Sequence, residues 1–379
     1  MELDDPVQAA PFRADPSAAL AAAMRRAHAG SGTLLLDEWQ VVPETLGAVK
    51  RAVDRGLPPG AILLTGSVRA PLTSASWPGT GRVITIEMHP MAVLEQHATA
   101  APHSDFVSRL FAGEAEQVTL PPEPPDFSGY VDLIAAGGYP AVLGAAAEAR
   151  ALWLESYAEQ LVQRDVPKLG EIRDPAALRR LLRAFAECTG TLRPDTELAA
   201  TADINVKTVR RHERLLEDLR IVTSLPAWHT NRLSRLVKQR KHCLIDTGLA
   251  MALLDADTDT LYRRGDLLSR MLETFVLAQL RPLLQFSTMR VCAHHLRQHD
   301  GRREIDVLLE AADGRVAALK VKASSAPTVR DARDLQWLRD ELGERFVCGA
   351  VLHTGPQAFR LAERITALPI AALWSEPSD

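Results

Sequence analysis

At 379 residues, 46% hydrophobic and 24% charged, the chain is long enough for more than one core at roughly 100–200 residues per domain, and too apolar for wholesale disorder. A formal net charge of −4 excludes a global field aimed at nucleic acid or membrane, so any such surface is local. Cys188, Cys243, Cys292 and Cys348 form no CxxC pair and no Cys/His metal spacing, which argues against zinc and against a disulfide framework and fits a reducing cytoplasm.

The first residues, MELDDPVQAAPFRADP, are acidic and lack the apolar centre of a secretory signal. The most apolar tract, Leu133 to Ala147, is broken by Gly137, Gly138 and Pro140, so no membrane span is expected. Residues 33–37 (TLLLD), 61–65 (AILLT) and 82–88 (RVITIEM) read as strands, with a helix between Pro43 and Arg55, the pattern of a parallel sheet covered by helices. PPEPP at 121–125 punctuates the chain, and apolar spacing of 3.6 then runs from Val131 to about Leu219. After Cys243 come a helix over Arg270 to Leu284, strand-like runs at 291–296, 304–309 and 315–321, a helical stretch at 329–342 and a strand at 346–352. This order predicts an α/β domain with a mixed sheet. The whole is expected to be an α/β multidomain protein divided at 1–120, 121–190, 191–242 and 243–379.

The LLLDEWQ segment ends an apolar strand in two carboxylates, Asp37 and Glu38, at the carboxyl end where open α/β sheets build their sites. In a nucleotide hydrolase the first would hold Mg²⁺ and the second would polarise the attacking water. Thr65, Gly66 and Ser67 end the next strand, where Ser67 could sense a γ-phosphate. Arg82 could supply positive charge to a transition state in its own site or in a neighbouring copy's, so a homo-oligomer or a protein partner is an open expectation. Helix and turn capping would explain the same residues as well. No GxxxxGK[ST] and no Gly-Lys dipeptide occurs anywhere, so the amide cradle and lysine that grip a triphosphate are missing, and ATP turnover is not expected of these residues.

The segments LLLDEWQVVPETLGAVKRAVD, LLTGSVR, GTGRVITIEMHPMAVLE, AAGGYPAVL, WLESYAEQLVQRDV, KHCLIDTGLAMALL, LETFVLAQL and RREIDVLLE…ALKVKAS occur in an order that resembles a bacterial and archaeal family of AAA-type ATPases, over essentially the whole chain. The resemblance implies a truncated P-loop ATPase module, a winged helix and a carboxy-terminal domain similar to the PD-(D/E)XK nuclease fold. It implies that Asp37 and Glu38 are the Walker B pair, that Ser67 lies on the sensor strand and that Arg82 is the arginine of a Gly-Arg motif, with ATP and Mg²⁺ as the cofactors. In that family the phosphate loop precedes the LDDP segment, here Leu3 to Pro6. The family's central strand is therefore expected to be missing beside residues 61–65 and 82–86, because the start lies upstream, because the domain is a remnant, or because a partner supplies the strand.

Residues 196–201, 202–205 and 206–219 read as helix, turn and helix, with Asn205 as the N-cap. Lys207, Arg210, Arg211 and Arg214 can face outward, and between residues 207 and 241 ten Lys or Arg stand against three Asp or Glu. That local charge suits DNA phosphates, with the second helix as the reading element of a winged helix. A solvated charged face is the plainer alternative.

Arg303 to Val307 and Val316 to Val321 read as a hairpin across Asp313-Gly314. A PD-(D/E)XK site needs an aspartate on one strand and an acidic-x-lysine pair on the next. Asp306 and Lys322 fit, and Glu273 fits an accessory carboxylate, but the middle acidic position is Lys320. An ammonium there repels Mg²⁺ and removes a ligand, so a degenerate site with a Lys320–Asp306 pair is expected, and alternation should place Glu304, Asp306 and Leu308 on one face. His294 and His295 are adjacent and point apart, which argues against a joint metal site. Arg164, Asp165 and Asp246 to Gly248 carry charge in helical or turn contexts that capping and pairing explain.

Overall fold

Asp5 starts the first helix by accepting the Val7 amide, with Pro6 at the position where a missing N–H costs nothing. The computed structural model describes residues 1–29, 32–66, 81–97, 104–165, 174–230, 239–298 and 301–375, which fall into two compact units, Met1–Ile86 and Glu87–Asp379.

In the first unit, α1 (Pro6–Ala14), α2 (Pro16–Ala29) and α3 (Thr45–Asp54) pack with a short parallel pair, β1 (Leu34–Leu36) and β2 (Ile62–Leu64). The core holds Leu3, Phe12, Leu20, Met24, Leu34, Leu36 and Val49. Residues 1–3 run beside β1, because the Leu3 amide donates to the Asp37 carbonyl at 3.0 Å and the Asp37 amide to the Met1 carbonyl at 2.8 Å. On the opposite face of the pair Leu35 is 43% and Leu63 51% exposed.

The strand expected at 82–88 does not form. Ile84 is 88% and Ile86 57% exposed, and their backbone belongs to no ladder among the described residues. A strand exists only through pairing, so β-branched composition alone cannot make one. Near its carboxyl end Glu87 meets a side chain instead: its amide donates to Gln285 Oε1 at 3.2 Å, and Gln285 Nε2 donates to its carbonyl at 2.9 Å.

The second unit opens with short helices α4 (Val93–His97) and α5 (Phe106–Ala112), then α6 (Phe127–Ala136), α7 (Ala147–Gln160) and α8 (Pro175–Glu187). Helices α9 (Asp195–Ala202) and α10 (Val206–Asp218) follow, joined through Asp203 in the left-handed region at φ 55°. An antiparallel ribbon of β3 (Val222–Leu225) and β4 (Lys241–Leu244) comes next. Then come α11 (Thr247–Leu253), α12 (Thr258–Arg263) and the long α13 (Gly265–Phe286).

A six-stranded mixed sheet completes the unit. Its strands are β5 (Val291–Arg297), β6 (Glu304–Ala311), β7 (Val316–Lys322), β8 (Phe346–His353), β9 (Phe359–Ala362) and β10 (Ile365–Pro369), in the order β5-β6-β7-β8-β10-β9. β7, β8 and β10 are parallel and the other pairings antiparallel. Val307, Leu319 and Leu352 join the core that holds Leu272 and Val276 of α13, while Leu308, Ala318 and Val351 pack with Leu335 and Leu338 of α14 (Arg333–Leu342). Burial on both faces explains why these strands read as near-continuous apolar runs. Among the described residues, no helix is long and apolar enough to cross a membrane.

Candidate functional site

Three places gather the chemistry-bearing residues. At the carboxyl end of β1, Asp37 Oδ1 accepts the Thr65 hydroxyl from just beyond β2, because the parallel register brings Leu36 beside Leu64. Glu38 sits in the left-handed region at φ 50°, uncommon for a residue with a Cβ, and accepts the Gln40 amide. Gly66 lies against the Gln40 side chain, whose Oε1 would stand 2.3 Å from a Cβ at this position. Ser67 lies outside the described residues. Arg82 pairs with Asp54 at the end of α3, at 2.6 Å. Two half-buried carboxylates and a hydroxyl are hard oxygen donors that fit Mg²⁺. No GxxxxGK[ST] motif stands beside them in this sequence.

The second place is the exposed face of α10. Asn205 caps the helix by accepting the Thr208 amide at 2.9 Å, and Val209, His212 and Leu216 are buried. Lys207, Arg211 and Arg214 therefore follow one another at four- and three-residue spacing along the solvent side, all exposed. Arg210 is exposed as well, but its guanidinium is held by Asp195 of α9 at 2.7 Å, which ties the two helices together. Inside the module, His242 Nε2 meets Glu213 Oε1 at 2.7 Å and joins α10 to the ribbon.

The third place is a buried group of charges under the mixed sheet. The β6–β7 ladder stops at Val307 opposite Leu319. Beyond it the Asp306 carboxylate takes over, accepting the Val321 amide at 2.7 Å and the Lys320 ammonium at 2.8 Å. Asp306 is 2% exposed and Lys320 13%. Glu273 of α13 accepts the ammonium of Lys241, the first residue of β4. Burial, then the Asp306 charge, push the Glu273 carboxyl upward against the pull of Lys241. Burial alone would lower the Lys241 ammonium, but Glu273 and Asp306 together raise it. Both groups rise because Lys241 gains from two carboxylates, whereas Glu273 also bears the repulsion of Asp306. Lys322 stands 3.9 Å from Asp331. The expectation that Glu304, Asp306 and Leu308 share a face is corrected: Leu308 packs under α14 while Asp306 turns toward Lys320, and the β5–β6 register shifts between His294 and Leu296.

Sequence reasoning missed Lys241. Its signal was a lysine heading a strand whose residues are all buried, but a carboxylate 32 positions away cannot be chosen from spacing. Asp246 is a clamp: it caps α11 by accepting the Leu249 amide at 2.8 Å and also takes the Gly138 amide at 2.7 Å. A Cβ on Gly137 would stand 2.5 Å from Asp246 Oδ1 and one on Gly138 2.4 Å from the Met91 carbonyl, so GGY and DTG interlock. His294 and His295 are both buried, and burial lowers His295 to about 4. No group of three or more metal-ligating side chains occurs among the described residues. The side chains of Arg164 and Asp165 lie outside them.

Comparison with known families gives an AAA domain over residues 1–97, a domain of unknown function (DUF8612) over 128–260 and a domain of unknown function (DUF4143) over 268–373. Two curated relatives, uncharacterized proteins Rv2008c of Mycobacterium tuberculosis and Mb2031c of Mycobacterium bovis, are each 28% identical over 375 residues, covering 97% of this chain and 73% of the relative. These matches support an AAA-type family with a general α/β multidomain fold, and the AAA domain suggests nucleotide and Mg²⁺ use in general.

Proposed function

We infer that this is an AAA-type ATPase-like protein that engages duplex DNA through a winged helix, with a nuclease-like carboxy-terminal domain that has lost its metal chemistry. The observation that carries the reading is the row of Lys207, Arg211 and Arg214 on the solvent face of α10, the second helix of a helix-turn-helix followed by an antiparallel ribbon. Their spacing matches positive groups following a groove wall, and Arg210, bound to Asp195, acts instead as a brace between the helices. Phosphate contacts of this kind set affinity and its salt dependence. Binding to a short duplex should weaken steeply with salt, and each Lys207→Ala, Arg211→Ala or Arg214→Ala change should lower the slope of log K against log salt by about one. Unaltered binding by the triple variant would remove the reading.

The strand end at Asp37 supports the ATPase-like half in one respect, the cation. Asp37 is the residue that would hold Mg²⁺, and Glu38 the one placed to orient a water. With no phosphate cradle in the sequence, MgCl₂ and MgATP are expected to shift the melting temperature equally, and both shifts should vanish in Asp37→Ala. A larger shift with MgATP, lost in Asp37→Ala, would show that a triphosphate is gripped after all.

A further inference from the structure

The buried charges beneath the mixed sheet have a composition that a nuclease-like reading does not explain. Two carboxylates, Glu273 from α13 and Asp306 from β6, lie near one another, and the Asp306 charge acts on both Glu273 and Lys241. Two ammonium groups answer them, Lys320 from the neighbouring strand and Lys241 from β4. Lys241 is the unusual one. Its side chain is 5% exposed, and a lysine is so deeply buried only when its charge is met. It is delivered by a seam between the ribbon and the sheet: the His295 amide donates to the Pro226 carbonyl at 2.9 Å, the Trp228 amide donates to the His295 carbonyl at 2.6 Å, and His295 Nε2 lies 3.1 Å from the Gln239 carbonyl.

We propose that Glu273 and Asp306 form a cation site filled from within the chain, with the Lys241 ammonium as a tethered cation that occupies the place of a metal ion and holds the ribbon to the sheet. A divalent cation entering here would meet two fixed positive charges, and each Asp306 oxygen already accepts a hydrogen bond, one from Lys320 and one from the Val321 amide. Lys241 is thus a positioning residue, and together with Lys320 it closes the site to metal.

The test uses the full chain and reads melting temperature. Wild-type protein should be indifferent to MnCl₂ beyond the Asp37-dependent response, so the titration is run in Asp37→Ala. A saturable Mn²⁺ stabilisation there that disappears on adding Glu273→Gln would overturn the proposal. In Lys241→Ala, methylammonium chloride should restore stability above an NaCl control of equal ionic strength, whereas Mn²⁺ should not, because Lys320 still occupies Asp306. No restoration by methylammonium overturns it. Should Lys241→Ala not fold, Lys241→Met combined with Glu273→Gln should fold and melt close to Glu273→Gln alone. A double variant that also fails to fold, or that melts far below Glu273→Gln, overturns the proposal too.

Discussion

His353 is fully buried at the end of β8 and His295 is 4% exposed on β5, and burial holds each near 4, well below the usual histidine range. Each is neutral in the folded protein, whereas the unfolded chain takes up protons near pH 6.5. The unfolded state therefore binds more protons between these values. The stability from neutral burial is complete above pH 6.5 and is lost as the pH falls toward about 4. The melting temperature should drop across that window, and His353→Gln should flatten the drop. A profile unchanged by the substitution would show that His353 does not contribute. Single residues at the sites divide in the same way between local and distant causes. Asn205 is named by its place before an apolar-periodic run, whereas the partner of Lys241 is named only by the seam that carries β4 to α13.

At the scale of elements, the helices at 206–219, 270–284 and 329–342 were legible because their cause is local. The Asn205 cap, the 3.6 periodicity and the turn before them define α10 almost to the residue. Asn205→Ala should cost about 1 kcal/mol, read as a lowered denaturation midpoint, since the Thr208 amide loses its acceptor. Residues 82–88 illustrate the opposite case. Val83, Ile84 and Ile86 have strand composition, yet they stand exposed, with no strand among the described residues pairing with them. A double change of Ile84 and Ile86 to Thr should therefore leave stability within about 0.5 kcal/mol, as for ordinary surface positions. A large loss would place these side chains in a packed environment.

For the molecule as a whole, the consequence lies in how the second unit is sewn together. The ribbon, the long helix α13 and the sheet share the core that runs from Val222 and Leu244 through Phe275 to Val307 and Leu319. Residues linked in this way should open together. Native-state hydrogen exchange should give the amides of 242–244 the same protection free energy as those of 317–319, and Lys241→Met should lower both sets. Early exchange confined to the ribbon would show that it opens separately.

By itself the sequence determined what depends on near neighbours: α/β composition, the helical stretches at 206–219, 270–284 and 329–342, the Asn205 cap, the strand-like runs at 291–296, 304–309 and 315–321, the Asp37–Glu38 strand end and the positive row from Lys207 to Arg214. Tertiary structure decided what depends on distant pairing. It left 82–88 outside any described ladder, turned Leu308 away from Asp306, set Asp246 between two glycine turns and brought Lys241 to Glu273. The reason is physical. Periodicity and capping act within one or two turns of chain, while strand pairing and the neutralisation of buried charge join groups whose separation in sequence carries no record of their contact.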